Sequence, residues 1–142
     1  MTSALVKNKY LIILLCCVTL LLDCVIANAR NSLPLTNQPT QTLQTIVVPK
    51  TNYEVGMGLG EMAPNATKGR RTQLGSEMVY VLQGELILLV DGQPEKIIKK
   101  GESFQILANV LHETKAGPNG AQFLATWFVE QDKRDKFVVP AK

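Results

Sequence analysis

Ala63-Pro-Asn-Ala-Thr-Lys-Gly-Arg-Arg-Thr-Gln-Leu-Gly-Ser-Glu-Met-Val-Tyr-Val-Leu-Gln-Gly84 changes character along its length. Its first part is polar and turn-rich; from Glu77 it becomes an alternating apolar run. Period-2 geometry puts Glu77, Val79 and Val81 on one face of a strand. Glu77 therefore points inward with the two valines, where an unpaired carboxylate costs several kcal/mol or changes its pKa, so it needs a partner. Arg71 and Gln73 are two apart and share a face in the same way. A doubled Arg70-Arg71 is also common on solvated turns, which leaves a plain surface reading open.

Working outward, short apolar runs separated by turn residues continue from Ile46, the pattern of an all-β sandwich or barrel. Strands are expected near Thr45 to Val48, Tyr53 to Met62, Glu77 to Leu82, Glu85 to Val90, Glu95 to Lys99, Ser103 to Leu107 and Gln122 to Glu130. Asp91-Gly92 reads as a type I′ hairpin turn, and Gly84 as a point where the chain reverses. Gly56, Gly58 and Gly60 line one face of a strand, where missing side chains permit close approach, best explained by packing. Tyr53, Tyr80, Phe104, Phe123, Trp127 and Phe128 fall at strand spacing as mostly core, with room for one or two at a barrel mouth. Asn65-Ala-Thr67 matches a glycosylation acceptor and is read as a turn. In Leu86 to Val90 both alternate faces are apolar, so the outer one should be covered, by an N-terminal strand, a second subunit or Tyr53 to Met62.

At the N-terminus, Lys7 and Lys9 precede an apolar run from Tyr10 to Leu22, and Ala27-Asn28-Ala29 follows. This is the charged, apolar and small-residue order of a secretory signal, which predicts export to a periplasm or the outside with no membrane anchor after cleavage. A spanning helix needs about 20 apolar residues and would place Asp23 in the bilayer. The mature chain then begins at Arg30 and has 113 residues (142 minus 29), enough for one core. Cys16, Cys17 and Cys24 all fall in the signal, so the mature chain has no disulfide, thiol nucleophile or thiolate metal site. Losing Lys7, Lys9 and Asp23 takes the net charge from +3 to +2 (13 basic minus 11 acidic), too little to argue for a nucleic-acid partner. Asn31 to Gln44 is rich in Thr, Gln, Asn and Pro without hydrophobic period, and Asp132 to Lys136 alternates in charge. The resulting organisation is a signal peptide over 1–29, an extended leader over 30–44, one domain over 45–131 and a solvated tail over 132–142.

Two spaced patterns resemble the cupin family. The first cupin motif, Gly-x5-His-x-His-x(3,4)-Glu-x6-Gly, falls on Asn65, Arg71, Gln73, Glu77 and Gly84. The second, Gly-x5-Pro-x-Gly-x2-His-x3-Asn, falls on Gly101, Leu107, Asn109, His112 and Ala116. Tyr80-Val-Leu-Gln-Gly-Glu-Leu86, Val90-Asp-Gly92 and Gly101-Glu-Ser-Phe104 are similar to the family's strand and turn phrases. The resemblance spans Ile46 to Glu130 and implies a double-stranded β-helix, the jelly-roll cupin barrel, commonly a homodimer. Asn109 stands at a family glycine, and Asn is the residue that best replaces Gly in the left-handed region.

Of the four places that hold metal in the family, Glu77 and His112 keep the usual residue, while Arg71 and Gln73 replace paired histidines. Gln73 has a carbonyl oxygen, a weaker ligand than imidazole. Arg71 is an obligate donor that suits a carboxylate or phosphate. His112, the only histidine in the chain, can ligate metal, act as a base or donate to a bound acid. Two functions follow. One is a binding protein that takes a small, anionic organic ligand on Arg71, Gln73, Glu77 and His112, without cofactor. The other is a metal-dependent cupin enzyme, a dioxygenase or isomerase, with a reduced Mn, Fe, Ni or Zn site of Gln73, Glu77 and His112.

Overall fold

A computed structural model describes residues 35–136 and 138–140; the expected signal segment and the first leader residues lie outside that range. The described chain is a single eight-stranded sheet, curled on itself. Its strands are β1 (Gln38–Val47), β2 (Tyr53–Met62), β3 (Thr67–Gln73), β4 (Ser76–Val90), β5 (Lys96–Lys99), β6 (Ser103–Ile106), β7 (His112–Glu130) and β8 (Val138–Pro140), with a 3-10 helix at Gln131–Lys136. The all-β jelly roll is the fold the chain builds.

The two longest strands make the frame. β4 runs along one edge of β7 from Ser76↔Phe128 to Val90↔His112. The other edge of β7 is shared, by β2 at one end and β3 at the other. β6 and then β5 add to the far edge of β4. Strands this long must bend to close a barrel, and β-bulges supply the bend. Register shifts fall between Val81 and Gln83 and between Gly84 and Leu86. Gly84 (φ +70) and Gly120 (φ +74) meet at this corner, and a Cβ on Gly84 would run into the carbonyl of Gly120. Gly84 therefore bends one continuous strand, where the sequence suggested a reversal between two.

The interior is filled from alternate positions. Val79, Val81, Leu86, Leu88, Ile98 and Phe123 are all buried. On β2 the buried set is Glu54, Gly56, Gly58, Gly60 and Met62. The glycine stripe packs as expected: Trp127 and Phe123, the cross-strand partners of Gly56 and Gly60, lay their rings where Cβ atoms would be. Phe104 joins the core, whereas Tyr80 and Phe128 point outward.

Several sequence expectations need correction. β1 starts at Gln38 and not Thr45, because the polar leader pairs with β2 through its backbone. Only Gly92 of the Asp91-Gly92 pair has positive φ, so the β4–β5 connection is not a type I′ turn; Gln93 N–H closes it on the Val90 carbonyl at 3.0 Å, and β5 begins at Lys96. β3 and the first half of β7 are strands that polar sequence concealed. The supposed tail carries the 3-10 helix and β8, which pairs with β3 from Arg71↔Pro140 to Gln73↔Val138. Proline is tolerated there because β8 ends the strand order at a sheet edge. β2 takes its place between β1 and β7 and so is not a layer over Leu86 to Val90, whose outward Ile87 and Leu89 remain partly exposed.

Candidate functional site

Arg71 and Gln73 lie on the inward face of β3, 7% and 1% exposed. Gln73 is fixed at its backbone, where its carbonyl accepts the Asn109 N–H at 2.7 Å. Asn109 itself is left-handed (φ 64), as its place at a family glycine suggested. This loop delivers the chain to His112, which faces Arg71 directly across the β3–β7 ladder.

His112 is buried, and its Nδ1 lies 2.9 Å from the Val110 carbonyl. A carbonyl only accepts, so Nδ1 carries the proton and the neutral ring presents a lone pair at Nε2. That Nε2 has no partner, and neither has the amide nitrogen of Gln73. The His112 pKa is held below the ordinary value, chiefly by burial, with Arg71 adding to the effect and Val110 and Glu77 opposing it. The ring is neutral at pH 7.

Arg71, Gln73 and Glu77 line one cavity of about 940 Å³, bounded by β1, β2, β3, Trp127 and the C-terminal segment. His112 lies outside that lining, beside a smaller groove with Arg70 and Asp91. It is the one sequence-predicted site residue the cavity does not include.

Three further residues line the cavity: Lys68 and Glu54, which were not foreseen, and Trp127, one of the aromatics allowed at a barrel mouth. Lys68 places Nζ 4.6 Å from the centroid of the Phe123 ring and 3.3 Å from Thr40 Oγ1. Burial lowers its pKa, Glu77 opposes that change, and Arg71 reinforces it. Glu54, 4% exposed, accepts Arg134 Nη1 at 3.3 Å on Oε2, while its Oε1 is buried without a partner. Trp127 lines the wall, pressed against Gly56 and Gly58. The Glu54 signal was present in the sequence, since it shares the face of the glycine stripe. The Lys68 signal was not, because a register shift between Thr67 and Arg70, with Gly69 at φ +68, breaks the alternation that would point Lys68 outward.

Charge decides what this arrangement can hold. Lys68 and Arg71 are two cations acted on by Glu77, a local excess of +1 (two minus one) within a lining that also holds Arg134, Glu54 and Glu61 and is neutral as a whole (three minus three). Glu113 also acts on Arg71 but is engaged at 2.8 Å by Thr67 Oγ1 and at 3.5 Å by Lys115. Burial lowers the Arg71 pKa, yet a guanidinium stays charged. A divalent cation does not fit: Arg71 cannot ligate, Lys68 adds a second positive charge, and no three His, Cys, Asp or Glu side chains converge among the described residues. The geometry offers an anion donors from Lys68, Arg71 and the Gln73 amide.

Comparison with known proteins agrees with this fold. The sequence matches the family described as "Cupin domain" over residues 58–127. It finds no match among curated proteins. A cupin of RmlC-like double-stranded β-helix fold from Methanocaldococcus jannaschii superposes with TM-score 0.55 at 14% identity, covering 75% of this chain and 90% of that one. The EutQ protein of Clostridium difficile gives 0.50 at 20%, covering 67% and 65%. The DMSP lyase DddQ from Ruegeria pomeroyi gives 0.52 at 14%, covering 63% of this chain. The match spans under half of the DMSP lyase chains, 44% and 43% of their length. The strand order, the corner glycines, the two motif positions and this family match together make the described domain a cupin domain.

Proposed function

We propose that this cupin is an exported binding protein whose barrel holds a small organic anion in place of a resident metal. The supporting observation is that Lys68 and Arg71, both drawn out of bulk water, line one cavity with Glu77 as the carboxylate acting on both, a local excess of one positive charge on that part of the wall. Such an excess favours a monoanion, because a charge-assisted hydrogen bond is roughly twice as strong as a neutral one. The cavity is within the usual size range for small-molecule sites. Arg71 and the Gln73 amide orient the anion, Lys68 supplies charge, and Glu77 keeps both cations positioned. His112 presents an acceptor and so holds the shape of the β3–β7 ladder without contacting the anion.

The metal-dependent enzyme reading has one observation in its favour, the buried lone pair of His112 Nε2. The cations at the neighbouring positions outweigh it. Native mass spectrometry of freshly isolated protein, followed by calorimetry with a simple carboxylate such as acetate and its amide, tests the anion reading. Arg71→Met should abolish carboxylate binding, and equal binding of acid and amide would reject it. N-terminal sequencing tests export: the mature chain should begin at Arg30, and an intact Met1 would contradict this.

A further inference from the structure

The cavity walls say more about the ligand than its charge. Trp127 is pinned over Gly56 and Gly58 and lines the cavity, giving a flat apolar surface that the barrel holds rigid. On β7 it is also the direct partner of Glu77, the carboxylate that serves Lys68 and Arg71. The anion-binding groups and the indole therefore belong to one stretch of wall. Two residues before Gly56, on the same inward face of β2, stands Glu54 with its buried, unpartnered Oε1. Arg134 already balances the charge of Glu54 through Oε2. What Oε1 lacks is a hydrogen-bond donor, and a neutral hydroxyl is sufficient.

We propose that the ligand is a hydroxylated aromatic monocarboxylate, with its carboxylate on Lys68 and Arg71, its ring against Trp127 and its hydroxyl donating to Glu54. This rests on the anion-binding reading and sharpens it. An aromatic ring is favoured over an aliphatic chain because offset stacking on an indole adds to the apolar burial that both provide. A phenol is favoured over an unsubstituted ring because a buried acceptor left unpaired is costly.

Trp127 is the only tryptophan in the sequence, so its emission reports on this wall alone. Four probes separate the claims: 3-(4-hydroxyphenyl)propanoate, 3-phenylpropanoate, 3-cyclohexylpropanoate and 3-(4-hydroxyphenyl)propanamide. Each is titrated by calorimetry and by fluorescence excited selectively at the indole. The phenolic acid should bind tightest and shift the emission. Loss of the hydroxyl should weaken binding about tenfold, the size of one buried hydrogen bond, and Glu54→Leu should erase that difference. Saturating the ring should weaken binding several-fold, and Trp127→Leu should remove the aromatic preference while Trp127→Phe keeps it. The amide should bind at least about 30-fold more weakly than the acid, from loss of a charge-assisted pair.

If the cyclohexyl acid binds as well as the phenyl acid, or if phenol and phenyl acids bind alike, the ligand class is wrong and the anion reading stands. The ligand class also fails, and the anion reading survives, if acetate binds and none of the three ring acids does. If the amide matches its acid, or no carboxylate binds, both fail.

Discussion

Arg71 and His112 face each other as direct partners across the β3–β7 ladder, at two positions where cupins place metal ligands. One is a fixed cation and the other a neutral acceptor, so the pair opposes the charge of a metal instead of offsetting it. The sequence registered the substitution, and the structure adds Lys68 as a second cation on the same side.

In the proposed anion site Lys68 would serve binding at the expense of stability. Its charge is partly desolvated, so its pKa lies below 10.5 in the folded state. The unfolded chain then binds more protons between the lowered value and 10.5, and stability rises with pH across that window. Lys68→Met should leave urea stability at pH 7 unchanged or raise it, remove the Lys68 contribution to that rise, and weaken carboxylate binding at least about tenfold. Strong destabilisation with unchanged affinity would mean that Lys68 is a structural residue.

His112 gives the opposite limb of the pH profile. Its folded pKa is depressed below 6.5, so the unfolded state takes up a proton first as pH falls. Stability is therefore present above 6.5 and is lost as pH drops from about 6.5 toward the depressed value. As the only histidine in the sequence, it makes the assignment direct: His112→Gln should flatten the fall of the denaturation midpoint as pH drops below 6.5. An identical slope in the variant would assign the effect to carboxylates.

Gly56 is required by Trp127. A Cβ there would overlap the indole, so Gly56→Ala should cost about 1–3 kcal/mol, the usual range for overpacking, with a shift in Trp127 emission. Urea unfolding followed by fluorescence measures both. A variant as stable as the parent would show that the indole can move aside.

The outer face should mediate association. Ile87 and Leu89 are only partly covered, and Ile97 beside Ile87 is 49% exposed. We expect a homodimer in solution, and Ile87→Lys or Leu89→Lys should lower its association state or solubility without changing the fold. Light scattering that finds both parent and variants monomeric would remove this surface as an interface.

What was legible in the sequence follows from which forces set each feature. β2 is legible because glycine and apolar residues alternate from Val55 to Gly60, and Glu77 shows its direction because Val79 and Val81 fix the face. Asn109 shows its φ because few residues accept it. β3, β8 and the first half of β7 are set by pairing with neighbours far along the chain, and β3 has no apolar residue to declare a period. Lys68 was hidden for a sharper reason: a bulge reverses the face that alternation assigns. The C-terminal segment looked solvated and is mostly exposed, yet Arg134 reaches back to the buried Glu54.

The most direct test of an anion site in place of a metal site is calorimetric titration with Mn, Fe, Ni and Zn. At a separation of roughly 5 Å and an effective dielectric of about 20, one cation repels a dication by about 6–7 kcal/mol; even a third of that lowers affinity more than tenfold. The unmodified protein should bind none of the four below micromolar concentration, and the double variant Arg71→His, Gln73→His should bind tightly. Submicromolar metal binding by the unmodified protein would contradict the account and put the metal-dependent enzyme in its place.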